Sequence, residues 1–179
     1  RTTPEMIQRL ADAGVHVAAG HTNALYATMR QALDHGLTGF THLFNAMSPL
    51  TSREPGAVGA ALESLTAWCG LIVDGRHVDP VTLKLALRTR PLDRFMLVTD
   101  AMPTVGMTDK RFSLQGREIV VRDGVCVGDD GTLAGSDLDM AGAVRNTVRM
   151  LGVSLEDAVM MASAAPAAFL GLDGQRGRI

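Results

Sequence analysis

Five histidines occur in 179 residues, and two of them stand where chemistry could be done. His21 follows the apolar run Val15-His16-Val17-Ala18-Ala19-Gly20, and His42 follows Thr38-Gly39-Phe40-Thr41. If both runs are strands, the two imidazoles end neighbouring βα units on one rim, a spacing suited to a shared divalent metal. A catalytic zinc usually takes three protein ligands plus water, so a third ligand has to come from elsewhere. Asp100 ends the run Phe95-Met96-Leu97-Val98-Thr99. Beside a metal, such a carboxylate could take a proton from water and return it to a leaving amine. A helix cap or a loop carboxylate is the other reading of that position. Arg53 and His77 fall in strand-to-helix loops on the same rim. Together they could form an anion pocket, because Arg offers a bidentate fork, although a loop arginine is commonly a solvated cation. His16, within a strand, reads as structural. His35 reads as a charge in the last turn of a helix stopped by Gly36, which suits the helix dipole.

The elements that must position these residues repeat as strand, then helix. After His21, Thr22 or Asn23 can cap a helix from about 24 to 35, with Leu25, Met29, Ala32 and Leu33 near helical spacing. A helix is expected over Pro55 to Leu65, a strand over Cys69 to Val73, and a helix opened by Asp79 as cap with Pro80 at its first position. Four apolar strands then run into His21, His42, His77 and Asp100, separated by 21, 35 and 23 residues, the length of a βα unit with loop insertions. Parallel strands buried on both faces, each followed by a helix, mean an α/β sheet. In a (β/α)8 barrel, residues at the C-terminal strand ends converge on one site. The rival, an open doubly wound sheet, would more often carry a glycine-rich phosphate fingerprint, and none is present. The fold class expected is therefore α/β, half of a TIM-type (β/α)8 barrel.

The chain changes character after Asp100. Phe112–Leu114, Glu118–Val121 and Val125–Val127 read as short strands parted by Gln115-Gly116 and Asp123-Gly124, the latter a strong hairpin signal. Strand-helix units over about 15–110, a β-hairpin insert over about 111–135 and C-terminal helices over about 137–171 follow. The helices include Met140 to Leu151 and one capped by Ser154 with Asp157 at the capping-box position. Four strands are half a barrel with two open edges. The chain also begins Arg1-Thr2-Thr3 without Met, so a missing N-terminal half is expected.

Composition narrows the partners. A net charge of −2 gives no reason to expect nucleic acid, and no 18-residue apolar run suggests a membrane span. Cys69 and Cys126 form no motif and read as free buried thiols in a cytoplasmic protein.

Six segments resemble the N-acetylglucosamine-6-phosphate deacetylases of the amidohydrolase superfamily: Gly20-His21-Thr22-Asn23-Ala24, Thr41-His42-Leu43-Phe44-Asn45-Ala46-Met47, Arg53-Glu54-Pro55-Gly56, Asp74-Gly75-Arg76-His77-Val78, Leu97-Val98-Thr99-Asp100-Ala101 and Leu133-Ala134-Gly135-Ser136. They fall in the family's order across nearly the whole chain. The resemblance implies that His21 and His42 hold a divalent metal ion, zinc first, with iron or another divalent ion as alternatives. It implies that Asp100 is the catalytic aspartate. Asn45 and Ala46 would contact the sugar phosphate, and Arg53 and His77 the phosphate group, one of these across the interface of a homodimer. Leu133, Ala134, Gly135 and Ser136 would form a loop closing over the sugar. The substrate would be a small phosphorylated amino sugar, N-acetylglucosamine 6-phosphate, cleaved to acetate and glucosamine 6-phosphate. The family is about twice this length. The resemblance implies a metal-dependent hydrolase barrel whose third metal ligand, a glutamate, and a carbonyl-polarising histidine belong to the N-terminal half not present here, and whose C-terminal extension, completing a small β-sandwich, would begin just after Arg178-Ile179. A dihydroorotase-like or amino-acid deacylase enzyme would share the metal site without the phosphate pocket. A truncated, non-catalytic product is a further alternative.

Overall fold

The structure is a computed structural model that describes residues 2–178. Its first unit is a parallel sheet of four strands: β1 (Val17–Ala19), β2 (Leu37–Phe40), β3 (Trp68–Ile72) and β4 (Phe95–Val98), in the order β1-β2-β3-β4. Helices α2 (Tyr26–Asp34), α3 (Gly56–Glu63) and α4 (Pro80–Leu87) fill the crossovers, as parallel pairing requires. The core lies between sheet and helices. Phe40, Leu71, Ile72, Val73, Leu83, Phe95 and Met161 are each at most 1% exposed, and burying each such side chain stabilises the fold by about 1.5–3 kcal/mol. Because the strands run parallel in sequence order, their C-terminal ends all lie on one rim.

Burial on both faces holds for β3 and β4 but not for β1. Val17 and Ala19 are half-buried and Ala18 is exposed. Beyond β1 no further strand pairs with it among the described residues. A cleft of about 690 Å³ runs there instead, lined by Ile7, Val17, Ala19, His21 and Met29 among others.

The second unit is an antiparallel meander of β5 (Arg111–Leu114), β6 (Arg117–Arg122), β7 (Val125–Val127) and β8 (Leu133–Ser136). Gln115, Gly116, Asp123 and Gly124 all take left-handed φ in its two tight turns, the conformation that primed hairpin turns demand. The last strand is a correction: Leu133–Ser136 is paired to β7 and is not a loop. Helices α5 (Met140–Asn146), α6 (Leu155–Ala162) and α7 (Ala164–Phe169) complete the chain. The expected helix from Met140 to Leu151 changes to a π-helical turn over Thr147–Leu151 and stops at left-handed Gly152. Ser154 caps α6 through Asp157 N–H, and the Ser154 hydroxyl bonds the Asp157 carboxylate.

Two helix starts depart from the sequence reading. Helix α1 (Pro4–Asp12) was not expected, although Thr3 accepts from Met6 N–H and Pro4 opens the first turn, a start signal the sequence does carry. Helix α2 begins at Tyr26 without a cap from Thr22 or Asn23. Thr22 Oγ1 accepts from Ala24 N–H instead, and Tyr26 N–H is taken by Glu54 Oε1 at 2.8 Å.

Candidate active site

Strands β1, β2 and β4 are each followed by two residues that end in a functional candidate: Gly20-His21, Thr41-His42 and Thr99-Asp100. All three candidates take left-handed backbone, at φ 46°, 26° and 51°. For residues with a Cβ this costs about 1–3 kcal/mol each and persists only where surroundings over-determine it. Two residues past β3 stands Asp74, with Gly75 at φ 72° taking the turn. His77 is therefore not a strand-end residue, contrary to the sequence reading; Asp74 has that place.

The rings of His21 and His42 meet edge to face, with centroids 4.8 Å apart at 75°. His21 is exposed, whereas His42 is 9% exposed and its Nδ1 is buried without a hydrogen-bond partner. Backbone bonds fix this pair: Thr41 N–H to Ala19 O at 2.9 Å, and Leu43 N–H to Gly70 O at 2.8 Å. The following loop is tied back onto the His21 turn. Thr22 N–H donates to Ala46 O, and Ser48 N–H to Thr22 O, each at 2.9 Å. The Ser48 hydroxyl donates to Ala24 O and accepts from Ala57 N–H. Asn45 uses its side-chain NH2 on His42 O and Leu43 O, and Ala46 is exposed at φ 49°. Two adjacent imidazoles with an unpartnered buried nitrogen fit a divalent ion held between them. No group of three His, Cys, Asp or Glu side chains that could hold a metal occurs among the described residues.

Glu54 and Asp74 carry structural work that sequence reasoning missed. Glu54 Oε1 accepts from Tyr26 N–H and Gly56 N–H, so one carboxylate serves the first turns of α2 and α3. These two backbone donors hold its pKa below the usual value. Asp74 Oδ2 lies 2.5 Å from His77 Nδ1, and Asp74 Oδ1 accepts from the N–H groups of Arg76 and His77. Burial pushes the Asp74 carboxyl up, but the His77 ring and these backbone donors together outweigh it, and its pKa is lowered. The imidazole is thereby clamped through its Nδ1 to the Asp74 carboxylate. Asn146 pins the same strand end, donating to Val73 O at 2.8 Å. Arg53 is exposed, and no hydrogen bond or ion pair joins it to His77 among the described residues.

Asp100 is exposed on the same rim, two strands from β2. Its neighbours are the residues read from sequence as a substrate loop. Ala101 bridges Ser136, and Ser136 N–H donates to Asp100 O at 2.8 Å. Within that stretch Leu133 is 45% exposed, Ala134 is half-buried, and Gly135 and Ser136 are buried.

A family model described as the amidohydrolase family matches residues 1–179. The chain belongs to the amidohydrolase family. Members of this family generally depend on a divalent metal ion, which accords with the His21–His42 pair. Among its relatives, this amidohydrolase chain is 47% identical over 169 residues to an N-acetylgalactosamine-6-phosphate deacetylase of Shewanella sp. (strain ANA-3), covering 94% of this chain and 43% of that protein. It is 42% identical to a protein of the same name from Escherichia coli O157:H7, covering 98% and 46%. Its structure superposes on that of an N-acetylglucosamine-6-phosphate deacetylase from Pasteurella multocida with a TM-score of 0.94 at 37% identity, covering 99% and 46%. The chain thus spans a little under half the length of these relatives.

Proposed function

We propose that this amidohydrolase chain is the C-terminal half of a (β/α)8 barrel that removes the acetyl group from an N-acetylhexosamine 6-phosphate. The observation that carries this is the pair His21 and His42 at adjacent strand ends, with Asp100 on the same rim. The strand order and the open edge at β1 support the half-barrel reading, because a closed barrel leaves no edge. The relatives' names support the substrate class. They include both hexosamine epimers, so the N-acetylglucosamine 6-phosphate expected from sequence stands beside its galacto epimer.

A divalent ion held by His21 and His42, zinc first, would polarise the acetamide carbonyl and acidify the attacking water. A further ligand would come from the N-terminal half. Asp100 takes a proton from that water as its oxygen adds to the acetyl carbon. It gives the proton to the sugar nitrogen as the C–N bond breaks. Acetate and the free amino sugar phosphate result. Arg53 and His77 meet the phosphate by charge and hydrogen bond, while Asn45, Ala46 and the Leu133–Ala134 edge face the sugar. In the full-length protein a homodimer brings one of the phosphate contacts across its interface. A phosphorylated sugar, too polar to cross a bilayer unaided, accords with a cytoplasmic enzyme.

The test is acetate release by the metal-loaded, full-length protein from the 6-phosphates of N-acetylglucosamine and N-acetylgalactosamine and from the unphosphorylated sugars. Release from a 6-phosphate, about 10²–10⁴-fold slower in Asp100→Asn and much weaker without phosphate, is expected. No release from either epimer by a folded, metal-loaded protein would rule out this substrate class. The 179-residue chain alone is expected to be inactive, and turnover by it would refute the need for a ligand from the other half.

A further inference from the structure

Ser136 belongs to the stretch expected to touch the sugar, yet its geometry points elsewhere. The residue is 0% exposed. Its hydroxyl donates to Thr99 O and accepts from Leu138 N–H at 3.1 Å. Its backbone N–H donates to Asp100 O at 2.8 Å, and its carbonyl accepts from Met102 N–H at 2.9 Å. Three of these four hydrogen bonds land on residues 99 to 102, the segment that carries left-handed Asp100. The preceding residue fits the same purpose. Gly135 sits at φ 103°, and a Cβ there would lie 2.9 Å from Asp100 O and 2.6 Å from Met102 Cγ. Only glycine lets β8 come this close to the turn. Beyond Ser136, Asp137 N–H donates to Gly124 O, while Lys110 Nζ bridges Asp137 Oδ2 at 2.7 Å and Thr104 O at 2.9 Å. The exit of β8 is fastened both to the antiparallel sheet and to the segment after Asp100.

We propose that Ser136 is a positioning residue that, with Gly135, clamps the strained Asp100 turn to the antiparallel sheet, and that it acts on turnover through Asp100 without touching substrate. The consequence for turnover rests on Asp100 being the proton carrier of the proposed deacetylation; the clamp itself does not. A strained turn held from one side relaxes when that hold is cut, and a shift on the order of 1 Å at a reacting group can cost about 100-fold in rate. The clamp reaches Asp100 from 36 residues along the chain, so the antiparallel insertion is part of the catalytic scaffold.

The experiment uses the full-length protein with Ser136→Ala, Ser136→Thr and Gly135→Ala. Steady-state acetate release, bound zinc and amide hydrogen exchange are followed together. Ser136→Ala is expected to lower kcat by about 10- to 100-fold with KM within about twofold and zinc content unchanged. The amides of residues 102 and 136 should exchange about tenfold faster, with the amides of β1 to β3 unaffected. Ser136→Thr, which keeps the hydroxyl, should recover most of kcat, and Gly135→Ala should resemble Ser136→Ala. A raised KM at full kcat would place Ser136 against the substrate and overturn the proposal. Loss of kcat in Ser136→Thr equal to that in Ser136→Ala would assign the effect to packing and overturn it as well. Wild-type protein with no acetate release would sink the deacetylase reading, and the exchange data would then decide the clamp alone: unchanged protection at 102 and 136 in both Ala variants refutes it.

Discussion

The histidine turns and the Asp100 turn are strained alike but held differently. His21 and His42 are fixed within the parallel sheet and its first loops: the bonds from Thr22, Thr41, Leu43 and Ser48 all close within residues 19–70, the last strand reached being β3. Asp100 is fixed from outside the parallel sheet, by β8. The difference teaches that His21 and His42, the proposed metal ligands, and Asp100, the proposed proton carrier, have separate structural supports on one rim. A perturbation of the antiparallel sheet should reach Asp100 first, and one of the parallel core should reach both supports.

The largest effect that could break this comparison comes from matched core truncations. Leu71 is 0% exposed in β3 and Ile119 is 3% exposed in β6. Each cut to Ala should cost about 2–5 kcal/mol by lost transfer energy and the cavity left behind. In the full-length protein, Leu71→Ala is expected to lower zinc retention and kcat together. Ile119→Ala should lower kcat while zinc stays bound. Urea unfolding, metal analysis and acetate release on the two variants suffice, and zinc loss from Ile119→Ala equal to that from Leu71→Ala would erase the distinction.

One free thiol in each sheet sharpens the same point. Cys69 lies in β3 and Cys126 in β7, both 0% exposed. Burial pushes the Cys69 thiol up to about 11, and burial raises that of Cys126, so neither reacts readily while its sheet is closed. Labelling by a maleimide at mild pH therefore reports opening. Cys126 should be modified at least about tenfold faster than Cys69, because the meander has the smaller core. Peptide mapping of the first modified site decides this, and Cys69 labelling first would mean that the parallel sheet, with its open edge at β1, is the weaker unit.

What the sequence disclosed and what it hid divide along physical lines. The run stopping at Asp100 was visible because a buried parallel strand must be apolar and its end meets solvent, whereas the run before His21 was visible although β1 stands half-exposed at the open edge. Asp123-Gly124 was visible because a tight hairpin needs positive φ. Strand β8 was hidden: Leu133-Ala134-Gly135-Ser136 has a glycine and no alternation, and its pairing depends on β7 and on the Asp100 turn. The start of α2 was hidden because its acceptor is Glu54, 28 residues away. Asp74 and His77 are both titratable and close the same strand-to-helix loop, and only the strand boundary at Ile72 shows that Asp74 occupies the rim position. The candidate site was thus legible where local patterning sets it and illegible where the restraint comes from a distant segment.

The smallest effect tests the self-contained side of the comparison. Glu54 joins the starts of α2 and α3 behind the histidine turns, and its pKa is lowered from the usual 4.5 by the N–H groups of Tyr26 and Gly56. A carboxylate whose folded pKa is depressed adds stability above its unfolded pKa, and loses that contribution as pH falls through the folded value. Wild-type protein should therefore lose part of its stability below about pH 4.5 through this group. Glu54→Gln keeps an acceptor oxygen for both N–H groups but removes the titration. Its deficit relative to wild type should be present at pH 6 and shrink as pH drops below 4.5. Because Glu54 lies on the histidine side, zinc affinity at pH 6 should fall slightly in this variant while the exchange protection of residues 102 and 136 stays as in wild type. A deficit that stays constant across that pH window would show that the charge on Glu54 does not hold the two helix starts. A loss of protection at 102 and 136 would show that the two sides of the site are coupled through the sheet after all.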